Sequence, residues 1–188
     1  MIGTPMDRNG AWNLLCEHTK SESLRKHGLA VEAAMRHFAR RFGEDEQEWA
    51  VVGILHDFDY ERFPQQHPQA GKPILEAAGL EPRLVRAVQS HGDHTGITRE
   101  SRLEKTLYAV DELTGFVVAV ALVRPGKDLG SVEPASVRKK MKDKAFARAV
   151  DRAAMLRGAD EVGIPFDELV AEVVTALRDV APQLGLAA

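Results

Sequence analysis

Hydrophobic positions recur along most of this chain at steps of three and four, the spacing that keeps residues on one face of an α-helix. One stripe runs Leu24, His27, Val31, Ala34, Phe38 and Phe42. A second runs Trp49, Val52 and His56, with Asp57 just beyond it. A third runs Leu103, Leu107, Val110 with Asp111, Thr114, Val117 and Val118. Each stripe carries a polar intruder at a position a hydrophobe should fill: His27 in the first, the His56-Asp57 pair in the second, Asp111 in the third.

Caps and breakers divide the chain into elements. The pattern predicts a helix over 10–19, a break near Lys20 and Ser21, and a long helix capped by Ser21 or Ser23 that ends at Phe42-Gly43. A helix over 46–56 and a loop over 58–66 follow. Pro68 suits the first turn of a helix towards Ala78-Gly79, which Pro73 distorts, and Glu81-Pro82 opens another that ends near His91-Gly92. After a loop over 92–98 comes a long helix over 100–122, closed by Arg124-Pro125-Gly126. Its apolar run 116–121 is rich enough in β-branched residues for a buried strand, but it continues the phase of Leu103, Leu107 and Val110 and is read as helix. Glu133-Pro134 begins a short basic helix through Lys140. A further helix covers 143–158, and Gly163-Ile164-Pro165 separates it from a last one over 166–184. The expected architecture is all-α, one domain with a core over 21–124 and a helical extension over 131–188.

A buried imidazole or carboxylate is costly unless something pairs with it. One partner for His27, His56, Asp57 and Asp111 together is a divalent cation, so the stripes point to a metal site inside a helical core. Composition narrows the donor set. Among 188 residues there is a single cysteine, Cys16, which excludes a disulfide framework and a cysteine-rich zinc module. The ligands are therefore His and carboxylate, a mix that suits zinc, iron, manganese, cobalt or nickel without choosing among them. A formal net charge of -3 gives no global basic field to recruit a nucleic-acid polymer. The longest apolar stretch, 116–123, falls short of the roughly 20 residues a bilayer span needs. Asp7, Arg8 and Asn9 interrupt the start before an apolar leader develops, so the expectation is a cytoplasmic protein with no membrane partner.

His56 and Asp57 are neighbours, and on a helix their side chains would diverge by about 100°. They converge on one cation only if the backbone turns at a helix end. In this order, His27, His56-Asp57 and Asp111 resemble the H…HD…D pattern of the HD-domain metal-dependent phosphohydrolase superfamily, over about 21–124. The phrase Leu55-His56-Asp57-Phe58-Asp59-Tyr60-Glu61, followed by His67, is similar to the HDIG type, with Phe58-Asp59 standing where that motif has Ile-Gly. Asp111-Glu112-Leu113-Thr114-Gly115 resembles the helix that supplies the last ligand. The Gly-Tyr-Pro signature of the cyclic-dinucleotide phosphodiesterase branch is missing.

This resemblance implies a metal-dependent phosphohydrolase acting through metal-activated water on a small phosphate ester, a nucleotide or related metabolite. Asp57 and Asp111 would anchor one or two ions of Fe, Mn, Zn, Co or Ni. In two-metal members the Asp of the pair bridges, and extra histidines come from regions that here hold His67, His91 and His94. His91 also continues the stripe of Leu84 and Val88, whereas Gly92 stands where many members have a second His. Two other readings stay open: a di-iron oxygenase of the same fold that cleaves a carbon bond with dioxygen, and a non-catalytic metal- or nucleotide-binding module. For a substrate phosphate, Lys127 after the Pro-Gly break is the preferred contact over Lys72 and Arg124. The run Arg138, Lys139, Lys140, Lys142 and Lys144 reads as a solvated face. Asp59, Glu61 and Glu112 lie beside the ligands without a ranked role. His37 falls off its stripe as a solvated residue, and His18 has no supporting context.

Overall fold

A computed structural model gives the fold and describes residues 6–188, so the stretch before Met6, where an apolar leader would begin, lies outside it. The elements are α1 (Arg8–His18), α2 (Glu22–Phe42), α3 (Glu46–Leu55), α4 (Lys72–Ala77), α5 (Pro82–Gln89), α6 (Arg102–Leu122), α7 (Pro134–Met141), α8 (Arg152–Val162), α9 (Phe166–Arg178) and α10 (Ala181–Leu184). Three short 3₁₀ turns, Gln69–Gly71, Asp93–Thr95 and Pro125–Lys127, join them. Among the described residues the only β pairing is a single bridge between Asp128 and Ala187, so the fold is all-α. No helix among them is long and apolar enough to cross a membrane.

Local chemistry accounts for the boundaries. The Ser21 hydroxyl accepts from the Leu24 N–H at the start of α2, and Gly43, at φ 70°, closes it in the left-handed conformation that glycine adopts without strain. Asp45 caps α3 through the Gln47 and Glu48 N–H groups. At α6, Ser101 accepts from the Glu104 N–H while the Glu104 carboxylate accepts from the Ser101 N–H, a reciprocal box that satisfies two otherwise orphaned donors. The run 116–121 lies inside α6, as its phase predicts.

Three predicted elements are corrected. The helix expected from Pro68 is a 3₁₀ turn followed by the short α4. Pro73 sits in the first turn of α4, where no N–H is required, so it distorts nothing. The helix expected over 143–158 begins only at Arg152. Asp151 caps the Ala153 and Ala154 N–H groups. The Arg152 guanidinium takes the carbonyls of Met141, Asp143, Phe146, Ala147 and Val150, acceptors that a continuous helix would use itself. The last helix is divided after Arg178, and Pro182, which has no N–H to donate, lies in the first turn of α10.

The metal-competent positions sit where α2, α3 and α6 meet. α3 crosses α2 at Gly53, where a Cβ would stand 2.9 Å from the Glu32 Cα, so only glycine permits this approach. α8 crosses α6 in the same way, Gly158 against Ala109, where a Cβ would come within 2.6 Å of the Ala109 Cα. α9 lies on α2, and the two are tied by His37 to Glu172 and by Arg41 to Glu168 and Glu172. His37 is therefore a bridging residue rather than a solvated one. One hydrophobic cluster includes Phe38 of α2, Leu55 of α3, Phe116 of α6, Met155 of α8 and Leu177 of α9.

We expect Gly53→Ala to cost about 1–3 kcal/mol, as overpacking of a tight crossing does. Because Gly53 also holds His56 through its carbonyl, the variant should bind metal more weakly than the parent. Thermal unfolding and metal titration check both effects, and a stable variant with parental affinity would show that the crossing does not set the site.

Candidate metal centre

His27 comes from the first turns of α2, His56 is the residue that closes α3, and Asp57 follows in the turn. Because the α-helix stops at Leu55, the backbone swings Asp57 back towards His56 instead of carrying it round the helix. Asp111 arrives from the middle of α6, and His67 and His91 from the segments before α4 and after α5. Two clusters result. In the first, His27 Nε2 lies 3.0 Å from Asp111 Oδ1, 3.2 Å from His56 Nε2 and 3.9 Å from Asp57 Oδ2. His56 Nε2 lies 3.3 Å from Asp111 Oδ1 and 3.5 Å from Asp57 Oδ2. In the second, His67 Nε2 and His91 Nε2 are 3.1 Å apart, at 3.0 and 3.4 Å from Asp57 Oδ1. Asp57 thus gives one oxygen to each cluster.

The proton positions decide what these nitrogens can do. His56 Nδ1 is 2.7 Å from the Gly53 carbonyl and His91 Nδ1 is 2.6 Å from the Val88 carbonyl; a carbonyl only accepts, so each Nδ1 carries the hydrogen. His67 Nδ1 donates in the same way to Asp59 Oδ1 at 2.6 Å. In the neutral rings every corresponding Nε2 is then a bare lone pair, and those of His67 and His91 face one another at 3.1 Å. Such a juxtaposition needs a positive charge between the nitrogens. Two ligands about 2.1 Å from one ion and at right angles stand about 3.0 Å apart, close to most of these separations. The residues therefore fit a divalent cation in each cluster, held by nitrogen and carboxylate donors, with the outward N–H groups of His56, His67 and His91 fixed by second partners.

Electrostatics agree. Burial disfavours charge on the His56 imidazole, but Asp57 and Asp111 outweigh it and hold its pKa well above the usual histidine value. Burial likewise opposes charge on His67, and its hydrogen bonds to Asp57 and Asp59 carry it up to about 9. Asp57 and Asp111 resist the opposite pull of burial and stay below the usual carboxylate range because of His56 and the neighbouring rings. The ion-free site thus collects protons where cations belong.

The clusters floor a cavity of about 560 Å³. Its wall beyond them includes Tyr60, Tyr108, Asp93, Glu112 and Asp151, and no lysine or arginine among the described residues. Burial and the adjacent Asp111 push the Glu112 carboxyl up to about 7. Asp93 is already committed, accepting from Tyr108, Arg99 and Arg157.

Residues 24–115 match the family model described as HD domain. This chain carries an HD domain. No curated protein and no solved structure matches the chain. The family is one of metal-dependent hydrolases, and the match spans His27, His56, Asp57, His67, His91 and Asp111. The HD domain brings together all six of these predicted positions. His94 is different: its Nε2 is bonded to the His67 carbonyl at 2.9 Å, and it lines the cavity outside both clusters. Gly92 explains the placement, since a Cβ there would lie 2.6 Å from the His94 ring. Lys127 lies in the wall of a second cavity, not of this one. Asp59, unranked by sequence, is fully buried and orients His67, with its Oδ2 lacking any partner. Glu61 instead accepts from the Lys20 and Ser21 N–H groups and steadies the entry to α2. Tyr108 and Asp151 carried no sequence signal, because nothing in their spacing marks a cavity wall.

Two outcomes follow. Asp59→Asn should weaken metal binding at the His67–His91 cluster by roughly 10–100-fold and leave the His27–His56 cluster near parental affinity. Calorimetric titration would read this as one retained and one weakened equivalent, and equal weakening of both would contradict the assignment. His67 must also release its proton to take a cation. Its raised pKa stabilises the ion-free fold fully below the unfolded value of roughly 6.5, and that contribution is lost as pH rises through about 9. Metal affinity should run the opposite way, strengthening from pH 6 to 9 with proton release. Titrations in buffers of different ionisation enthalpy measure the protons, and a pH-independent affinity would refute the point.

Proposed function

We propose that the chain is a metal-dependent phosphohydrolase acting on a small phosphate ester, a nucleotide or related metabolite. The observation that carries this reading is Asp57, whose two oxygens join two nitrogen-carboxylate clusters on the floor of one cavity. His27, His56, Asp57 and Asp111 would hold one ion, and Asp57, His67 and His91 a second. Bound ions of this kind bring the pKa of a water ligand down towards about 7 and neutralise charge on phosphoryl oxygens. The chain's part is to keep the Nε2 lone pairs aimed inward. Gly53, Val88 and Asp59 do this by fixing the opposite edge of each ring. The cavity is sized for a small molecule, within the roughly 300–1,000 Å³ of typical ligand pockets. We take His94, in that wall, as a substrate-facing residue rather than a ligand, and we assign Lys127 no phosphate contact here.

The absence of cations from the described wall has a consequence. A phosphate entering this cavity meets the Glu112 and Asp151 carboxylates, and the charge of bound ions, rather than a cation of the described wall, is what would hold it. The expected result is that orthophosphate binds the Mn²⁺- or Co²⁺-loaded protein and gives no detectable heat with chelator-treated protein. A screen of phosphate esters for orthophosphate release, run with the loaded protein, tests the activity itself. No release from any nucleotide or sugar phosphate under loading by each candidate metal would overturn the reading.

A second reading is supported by the same acidic wall, which suits an uncharged substrate. In it, the same His and Asp residues would hold two irons, which would supply dioxygen chemistry for breaking a carbon bond. Metal analysis with a visible spectrum under air separates the two: two irons per chain with a ligand-to-metal band favour oxygen chemistry. Zinc, manganese, cobalt or nickel without such a band favours hydrolysis.

A further inference from the structure

A second cavity, of about 370 Å³, adjoins the first, and both count His27 and Gly115 in their walls. Its character is opposite to that of the first. The walls are Ala30 from α2, Val118 and Leu122 from α6 and Leu184 from α10, and the charged groups are Lys26 and Lys127. Leu122 is 43% exposed, an apolar side chain left uncovered at the rim. Lys26 Nζ is paired with Glu22 at 2.7 Å, whereas Lys127 has no ionic partner among the described residues.

His27 supplies the independent observation. His56, His67 and His91 each donate Nδ1–H to a protein acceptor, but His27 Nδ1 has none among the described residues; its hydrogen bonds all run through Nε2. The Nδ1 edge faces Gly115, where an added Cβ would stand 3.9 Å away, so residue 115 puts no side chain against it. A histidine whose Nε2 holds a cation carries its proton on Nδ1, and such a proton almost always finds an acceptor. Here the protein provides the cavity and the lysines but not the acceptor.

We propose that this second cavity is a binding site for a small oxyanion carried on an apolar body, whose oxygen accepts the His27 Nδ1–H and is paired by Lys127 and Lys26. The apolar body lies against Ala30, Val118, Leu122 and Leu184. The ligand does for His27 what Gly53 and Asp59 do for the other rings: it fixes the ring and raises the basicity of Nε2. Its binding and that of the cation in the His27 cluster are therefore mutually strengthening, by the same factor in each direction. This holds whether the main cavity performs hydrolysis or oxygen chemistry.

The test uses octanoate and octyl phosphate as probes, with octylammonium and acetate as controls, titrated calorimetrically into the full chain without metal. We expect one equivalent of at least one octyl oxyanion to bind and neither control to do so, with carboxylate and phosphate heads ranked by their two heats. Lys127→Glu and Lys26→Glu, both at exposed or half-exposed positions that do not threaten the fold, should each weaken binding at least 10-fold. In ¹⁵N-histidine spectra the His27 Nδ1 signal should move on addition of the probe, and Zn²⁺ affinity should rise several-fold in its presence. Absence of binding by both oxyanions, or binding indifferent to both charge reversals, overturns the site. Binding that leaves the His27 signal and Zn²⁺ affinity unchanged overturns the link to the metal cluster. Failure of phosphate-ester hydrolysis would leave every one of these readings in place, so the two proposals fail separately.

Discussion

Imidazole nitrogens held face to face, lone pair against lone pair, are the constraint on which the rest of this structure depends. His56 and His67 cannot turn away, because their outer nitrogens are bonded to a carbonyl and to a buried carboxylate. His91 is fixed by a carbonyl in the same way. A proton can relieve one such contact, and Asp57, Asp59 and Asp111, outweighing burial, favour that proton by raising the pKa values of His56 and His67 in the ion-free protein. A divalent cation relieves it more fully, since it accepts several lone pairs at once. Folding the apolar stripes together therefore costs least when the cation is present, which ties the stability of the core to the occupancy of the site.

Glycine is the means by which the helices come close enough to impose this. Gly53 lets α3 press against the backbone of α2, and without that approach His56 would not reach His27. Gly71 does the equivalent for the second cluster: a Cβ there would lie 2.8 Å from Asp59 Oδ2, displacing the carboxylate that orients His67. Gly92 makes room for His94, which then holds the His67 carbonyl rather than joining the ligands. None of these three residues has an unusual backbone angle. Their role is clearance rather than conformational freedom.

The helices of the core were legible because their periodicity is long and the intruding residues are conspicuous against it. His27, His56 and Asp111 announce themselves by occupying hydrophobic positions, and Asp57 by its neighbour. The segment 143–151 was not legible, because what prevents helix there is the Arg152 side chain collecting carbonyls from the preceding turns, an interaction that propensity does not encode. Asp59 lies in a turn where no periodicity distinguishes a buried carboxylate from a solvated one. His37 leaves its stripe and would be solvated in an isolated α2, and only the arrival of α9, with Glu172 more than a hundred residues later, gives it a partner. The same distance problem hid the direction of Lys127, whose place in a loop says nothing about which cavity it serves.

Charge distribution separates the two cavities more sharply than size does. The larger has carboxylates and no lysine or arginine in its described wall, and would depend on acquired cations to hold a phosphate. The smaller carries its own lysines on an apolar lining and needs no metal to attract an anion. His27 is in the wall of both, with Nε2 committed to one and Nδ1 uncommitted. A side chain so placed cannot respond to one cavity without altering what it offers the other, because the two nitrogens share a single aromatic system and one exchangeable proton in the neutral ring. That shared ring gives this HD domain a physical route by which the contents of a metal-free pocket set the strength of a metal ligand.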